Sequence, residues 1–337
     1  MTLRLARMLL GKALQAAVTA LALSLIVFVV LRLLPADPLG MMLPPSASRA
    51  DVEALRVTLG LDKGIGTQYL VWLGRALQGD LGMSINFRQP VVTLVAKSLP
   101  ATLELSLVSL VMALFIAIPG GIVLYLLNRR RGELLADFTL VLLLSIPSFL
   151  WGIILIIVFG VLLPVLPFMG RTGGMIGSDL PTGFLLFDLL WTGRWSDWQD
   201  ALAHLMLPAL ALALGFSPLV ARVLRASLIE TATEQYVSVA RLRGLSESRV
   251  LLRHMLGNAA LPTLTLIGVQ FGFLFGGTLL IEVIFSFPGM GNLMVQAIKN
   301  HDLMLIQGVA LVFCLMVLVV NFVVDALYAV LNPRLRA

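Results

Sequence analysis

The side chains with the chemical means to engage a partner concentrate in one stretch, residues 231–262, which reads TATEQYVSVARLRGLSESRVLLRHMLGNAALP. It carries Arg241, Arg243, Arg249 and Arg253, whereas the segments on either side hold almost no charge for about a membrane's width. Residues 235–243 have helix-forming composition, and Gly244 can end that helix because glycine takes a positive φ at no steric cost. Ser246 is placed to cap a second helix whose first residue, Glu247, faces the positive end of its dipole. The small residues Ser238, Ala240 and Gly244 would let a partner's surface come close to the backbone. Topology alone could account for the arginines of an inner loop, but it needs no small residues among them.

Other reactive side chains stand alone. Cys314 is the one cysteine and lies within an apolar run, which rules out a disulfide within the chain and a cysteine metal cluster. His204 is isolated at the end of another run and makes a poor metal site. No GxxxxGK[ST] phosphate loop is present, so ATP is not bound by that means. Neither a catalytic group nor a metal site is expected. Glu104, Glu282, Asp302 and Asp325 all fall near the ends of apolar runs rather than at mid-membrane depth, where an ion-driven transporter would want an ionisable residue.

The elements that must position these residues follow from composition. The chain is 59% hydrophobic and 12% charged, against about 25% charged in soluble domains. Runs without Asp, Glu, Lys or Arg cover residues 13–31, 105–128, 138–170, 201–221, 254–281 and 303–324, each long enough to span a bilayer as a helix. The runs are continuous rather than alternating, which excludes a β-barrel. The expected fold is an all-α polytopic membrane protein of six spans. The net charge of +6 is placed by topology rather than for nucleic acid: Arg4, Arg7, Lys12, Arg129 to Arg131, the six arginines from Arg222 to Arg253, Arg334 and Arg336 all fall on one side. The positive-inside rule then puts both termini in the cytoplasm. The first span is too long for a signal-peptide core and is expected to remain as an anchor.

Three units are expected: residues 1–34, a tail and first span; 35–98, a small external subdomain with too little apolar content for its own core; and 99–337, the remaining five spans, with an inner loop at 222–257. The second span is expected to begin after Pro100 and to bend at Pro119-Gly120-Gly121, and the third to break at Ser145-Ile146-Pro147-Ser148. Repeated breaks suggest helices arranged around a cavity. Trp191, Trp195 and Trp198 read as interfacial anchors on an outer loop. Gly272 and Gly276 permit close helix packing, within the chain or with another.

The stretch 231–262 resembles the conserved cytoplasmic loop of ABC importer permeases, in the form found in the peptide and nickel branch. The shared pattern is Tyr236-Val237, Ala240-Arg241-Leu242-Arg243-Gly244-Leu245-Ser246, His254, Asn258-Ala259 and Leu261-Pro262. The eponymous Glu-Ala-Ala is here Ser238-Val239-Ala240, and the usual Ala-Lys is Leu242-Arg243. Similarity extends along nearly the whole chain. It takes in Leu33-Leu34-Pro35-Ala36-Asp37-Pro38, Leu59-Gly60-Leu61-Asp62-Lys63, Gly79-Asp80-Leu81-Gly82-Met83-Ser84, and Leu99-Pro100-Ala101-Thr102-Leu103-Glu104-Leu105. Further on it takes in residues 282–291, EVIFSFPGMG, and the closing Asn321, Asp325, Tyr328 and Asn332-Pro333-Arg334.

The resemblance implies a type I ABC importer permease, the B-type subunit of a dipeptide, oligopeptide or nickel importer in the bacterial inner membrane. Such a subunit pairs with a homologous second permease, two cytoplasmic ATPases that hold ATP and Mg, and an external solute-binding protein. It is itself non-catalytic and binds no cofactor. Tyr236, Val237, Ala240, Arg241, Arg243, Gly244, Leu245 and Ser246 would form the ATPase-coupling surface. Glu104, Pro147, Gly276, Glu282 and Phe285 would line the substrate pathway or its gate, where the two carboxylates could meet a peptide amino group or hold the outer gate shut. Metal chelates and glutathione are alternative cargoes. An ion-gradient-driven secondary transporter is the alternative of a different class.

Overall fold

In lipid every backbone polar group must be satisfied within the chain, and among the described residues every regular element is helical. The computed structural model of the chain describes residues 2–33, 63–174 and 180–331. The motif at Pro35 to Pro38, the amphipathic stretch at 51–59 and the closing Asn332-Pro333-Arg334 lie outside them.

The helices, in order, are α1 (Thr2–Leu33), α2 (Ile65–Leu77), α3 (Val91–Leu127), α4 (Glu133–Ser145), α5 (Ser148–Leu155, continued by a π-helical segment Ile156–Leu162), α6 (Leu185–Trp191), α7 (Trp195–Thr231), α8 (Gln235–Leu242), α9 (Glu247–Arg249, followed by a π-helical segment Val250–Met255), α10 (Leu256–Ile284), α11 (Met290–Lys299) and α12 (Leu303–Leu331). Five helical stretches are long and apolar enough to cross a membrane, and the bent pair α4–α5 makes a sixth. The expected all-α, six-span architecture is borne out.

α7 is the axis of the bundle. Its buried face is rich in alanine, including Ala201, Ala209, Ala211 and Ala213, which lets neighbouring backbones close in. Three apolar clusters follow one another along it: one around Leu205, Leu207 and Leu212, a second around Ala213, Phe216 and Val220, and a third around Leu224 and Leu228. α3 lies along most of its length, and Gly121 permits this approach. A Cβ there would sit 2.9 Å from Leu224 Cδ2 and 3.0 Å from the Ala221 carbonyl oxygen. α3 and α7 have 37 residues each, about 55 Å of helix, so both project beyond a hydrocarbon core of about 30 Å. α1 is peripheral: it packs on α12 and leaves Leu10, Leu14, Val18, Ile26 and Leu33 exposed.

The break in the third span is a near-right-angle bend of the chain. α4 and α5 meet at 97°. Ile146 is extended, as a residue before proline tends to be, and Pro147, itself extended, is the N-cap of α5 and has no N–H to leave unpaired. The bend seats against α7, where a Cβ on Gly215 would come within 2.9 Å of Ser148 Cβ.

Several sequence expectations need correction. α3 starts at Val91, after Pro90, and Pro100 lies inside the helix. The polar pair Lys97-Ser98 reads as a boundary but is only the part of the helix above the apolar zone. Within α3, Pro119-Gly120-Gly121 leaves the helix unbroken, and the close approach of a neighbour expected there is made by α7 at Gly121. Trp191 ends α6, and Trp195 and Trp198 open α7, so the expected loop tryptophans are helical. The turn after α10 leads into a helix, α11, that the apolar runs do not reveal because it crosses nothing. Ser246 has the extended backbone of an N-cap but makes no side-chain cap, and its hydroxyl lies 3.4 Å from that of Ser248.

Candidate functional site

At the arginine-rich end, α8 and α9 form a short helical corner between α7 and α10. Gly244 has φ +76° and ends α8. The Gly244 N–H donates to Arg241 O at 2.9 Å and the Leu245 N–H to Ala240 O at 3.4 Å, the paired bonds that close a helix on a left-handed glycine. A Cβ on Gly244 would touch nothing within 4 Å, so the glycine answers to backbone conformation and not to crowding.

The eight residues of the expected coupling surface divide into two groups. Val237 and Ala240 are buried, packed with Leu224, Leu228, Val250, Leu251 and Met255. They mount α8 on its own chain. Leu245 is half-buried against the same cluster. Tyr236, Arg243, Gly244 and Ser246 are exposed. The Tyr236 hydroxyl accepts a bond from Asn258 Nδ2 at 2.7 Å, which pins α8 to the first turn of α10. Arg241 is occupied within the corner: its Nε donates to Glu247 Oε1 at 2.9 Å, and the bond to that carboxylate raises an already high guanidinium pKa. Two residues absent from the expected set complete the outward face. Val239 and Leu242 are exposed one turn apart, Leu242 by 87%. The alternation of buried 237 and 240 with exposed 239 and 242 follows the 3.6-residue period, and that period could have found them.

Behind this corner Arg225, near the end of α7, grips the start of α4. Its Nη2 donates to Glu133 Oε1 at 2.7 Å and to Asn128 Oδ1 at 3.2 Å, and its Nη1 pairs with Asp137. Acidic residues directly after the Arg129-Arg130-Arg131 run were the available signal.

At the opposite end the two carboxylates of interest are buried and fully engaged. Glu282 accepts from Thr102 Oγ1 at 2.6 Å and from the N–H groups of Gly291 at 2.6 Å and Asn292 at 3.1 Å. Those N–H groups open α11, so the carboxylate sits where a helix end favours negative charge. A Cβ on Gly289 would meet Glu282 at 2.4 Å, which is why that position has no side chain. Glu104 accepts from Arg171 Nη2 at 2.5 Å and from the Leu186 N–H at 2.6 Å. Arg171 also donates to Gly183 O at 3.0 Å. Arg171 is the one basic residue in its stretch of loop, a signal that its isolation could have carried.

Residues 170–174 thereby form a strap held at three points. Gly170 N–H donates to Phe285 O at 2.9 Å, Arg171 reaches Glu104, and Gly173 N–H donates to Asp200 Oδ2 at 2.7 Å. Phe285 is buried in the cluster beneath the strap, with Leu205, Ile281 and Phe287. Asp302 caps α12 through the Leu305 N–H at 3.2 Å and accepts from Ser84 Oγ at 2.6 Å, tying the turn before α3 to the last span. Pro147 and Gly276 are exposed and lie on neighbouring surfaces. Ser148 Oγ is 3.9 Å from where a Gly277 Cβ would stand, while a Cβ on Gly276 would meet nothing. Gly276 shares an exposed stripe of α10 with Val269, Phe273 and Leu280, while Gly268 and Gly272 face α12. No group of three or more His, Cys, Asp or Glu that could hold a metal occurs among the described residues.

Comparison with known proteins supplies the identity that this geometry leaves open. The di/tripeptide transport system permease protein DppB of Pseudomonas aeruginosa (strain UCBPP-PA14) is 38% identical over 325 residues, 94% of this chain and 95% of that protein. The dipeptide transport system permease protein DppB of Escherichia coli (strain K12) is 36% identical, again over 94% and 95%. The glutathione transport system permease protein GsiC of Escherichia coli O6:H1 is 35% identical over 318 residues, with the same coverage. In fold, the chain is similar to one in the inward-facing MetNI methionine ABC transporter (CY5 SeMet soak crystal form), with TM-score 0.55, 15% identity, and 71% and 97% of the two chains covered. Residues 5–106 match the N-terminal region of a binding-protein-dependent transport system membrane component. Residues 117–337 match its inner membrane component. The resemblance read from the sequence is therefore borne out, and this chain belongs to the family of binding-protein-dependent transport system inner membrane components.

Proposed function

We propose that this multi-pass inner-membrane protein is one of two permeases in an ATP-driven importer of short peptides, with its termini and residues 222–257 in the cytoplasm. The observation that carries this reading is the outward face of α8. Tyr236, Val239 and Leu242 present apolar surface to water beside Arg243, on a helix whose other face is buried in its own chain. Exposed apolar side chains on a rigid mount suit a protein partner better than they suit solvent. The partner is an ATPase: the chain has no phosphate loop of its own, and moving a two-state pore from 1:99 to 99:1 takes about 5.5 kcal/mol of differential interaction.

In this reading ATP binding closes the two ATPases and carries α8 with them. α8 is fixed to α7 and α10, and Arg225 extends that linkage to α4, so the displacement reaches the broken span. The pore opens outward to receive solute from a binding protein, and hydrolysis resets it. The exposed α10 stripe of Val269, Phe273, Gly276 and Leu280 faces the second permease. Glu104 and Glu282 act as structural anchors of the outer gate, because their oxygens already serve backbone N–H groups and a guanidinium. Carboxylates so engaged favour ATP over an ion gradient as the energy source, since an ion-coupled site needs an ionisable group free to exchange its ion.

Leu242→Asp in the purified assembly tests the docking face. We expect the ATPases to be lost from the complex, or substrate-stimulated hydrolysis to fall at least tenfold, which corresponds to about 1.4 kcal/mol of docking energy. Unchanged assembly with unchanged stimulation would sink it. The dipeptide and glutathione relatives support short peptides as cargo over metal chelates. The solute that copurifies with the cognate binding protein decides between them.

A further inference from the structure

Where α1, α2 and α12 meet, a crevice is lined by Ser24, Val27, Trp72, Gln307, Leu311 and Cys314 among others. Two of its lining residues carry a buried hydrogen-bond donor that lacks a partner among the described residues: the indole Nε1 of Trp72 and the side-chain amide nitrogen of Gln307. Gln307 is 4% exposed, and a buried donor left unmade costs about 1–3 kcal/mol. Ser24 is the other polar side chain on the lining, and it is already engaged. Its hydroxyl bonds Leu21 O at 2.9 Å and lies 2.8 Å from the Tyr69 hydroxyl. The closed end of the crevice admits little more than one oxygen-sized group, and beyond it the surface is apolar.

Depth narrows the occupant. α12 begins at Leu303, capped by the buried Asp302, and the exposed polar residues Lys299, Asn300 and His301 just before it mark the polar side. Gln307 is four residues further in, about 6 Å along the axis. That is about the thickness of the interfacial layer on each side of the hydrocarbon core, and it is the level at which phospholipid acyl chains are joined to glycerol. Cys314 lies about two turns deeper, beside the chains themselves. The exposed apolar residues of α1 around this level, Leu23, Leu25 and Ile26, continue the surface outward.

We infer that this crevice is a phospholipid site, in which one acyl-ester carbonyl accepts hydrogen bonds from Trp72 Nε1 and Gln307 Nε2 while the acyl chain lies along α1 and α12 towards Cys314. An ester carbonyl only accepts, so it satisfies both donors and leaves nothing unpaired. A water serving both donors would have two partners but would turn its own two hydrogens towards a mostly apolar lining, where an oxygen that only accepts leaves nothing unpaired. In the orientation proposed above the lipid belongs to the outer leaflet, where it would wedge α2 against the first and last spans. The site makes no use of α8 or of the solute pathway.

The test is a competition in nanodiscs holding equal amounts of diester phosphatidylglycerol and its diether analogue, which lacks the carbonyls. The purified transporter is released and its retained lipid weighed by native mass spectrometry. The wild-type chain is expected to retain one lipid per copy with roughly tenfold preference for the diester, the worth of two net hydrogen bonds. Gln307→Leu and Trp72→Phe should each cut that preference severalfold while solute-stimulated ATP hydrolysis continues. Equal retention of the two lipids by the wild-type chain, or no retained lipid, would overturn the inference and leave the crevice to water. A preference that survives both substitutions would overturn it too. The wild-type competition needs no variant to fold, and loss of transport would bear on the proposed function without touching this result.

Discussion

Single side chains at the end of the bundle opposite α8 act mainly on backbone. Glu104 illustrates how a residue type suggests one role and its surroundings another. A carboxylate near the mouth of a span could attract a cationic solute, yet both of its oxygens are taken, one by Arg171 and one by the Leu186 N–H. Glu104→Ala would leave the Arg171 guanidinium, 16% exposed, without its charge partner, and breaking such buried pairs costs about 3–5 kcal/mol. Glu104→Gln keeps the oxygen that receives Leu186 and should cost less than half as much. Thermal unfolding of the two variants in detergent checks the order, and equal midpoints would show that Glu104 is not a structural anchor. The spacing of apolar runs marked Glu104 as lying near a span end. Its partners were not legible, because Arg171 is 67 residues away in sequence.

Helices in this chain approach one another through glycine, and the same residue type has opposite meanings on one element. A Cβ on Gly268 of α10 would fall 2.0 Å from Val324 Cγ1, and one on Gly272 would fall 3.0 Å from Asn321 Oδ1. Gly268→Ala must therefore push α10 and α12 apart or force a rotamer, at about 1–3 kcal/mol. Unfolding midpoints of the isolated chain measure it, and an unchanged midpoint would refute the close packing. The sequence pattern singled out Gly272 and Gly276 and left packing within the chain and packing with another equally open. The structure divides them by face: Gly272 serves α12, and Gly276 meets nothing. Position on a helix can be counted from sequence. Which neighbour occupies each face depends on how the helices assemble.

At the scale of the molecule, α7 links the two ends, passing from the strap and its anchors through three apolar clusters to the corner that carries α8. A bundle so connected passes displacement from one end to the other, since packed interiors transmit strain. The unfilled α10 stripe is the proposed seat of the second permease. Gly276→Trp adds bulk into open space, so it should leave the unfolding midpoint of the isolated chain within about 0.5 kcal/mol of wild type. It should nonetheless reduce recovery of the permease pair in copurification. Full recovery of the pair would place the second permease elsewhere.

By itself the sequence determined the membrane class, the six spans, the break at Pro147, the glycine-capped corner at Gly244 and the family. All of these depend on local composition, on hydropathy over about twenty residues, or on ordered motifs, and such information is contiguous along the chain. Only the tertiary structure decided the 97° fold at that break, the division of residues 236–246 into a buried mount and an exposed face that includes Val239 and Leu242, and the engagement of Glu104 and Glu282. It also brought Trp72 and Gln307 to one crevice. These depend on contacts between residues far apart in sequence. In a chain whose helices are apolar almost all round, the pattern of hydrophobicity says that a helix is buried in something but not which side meets protein and which meets lipid.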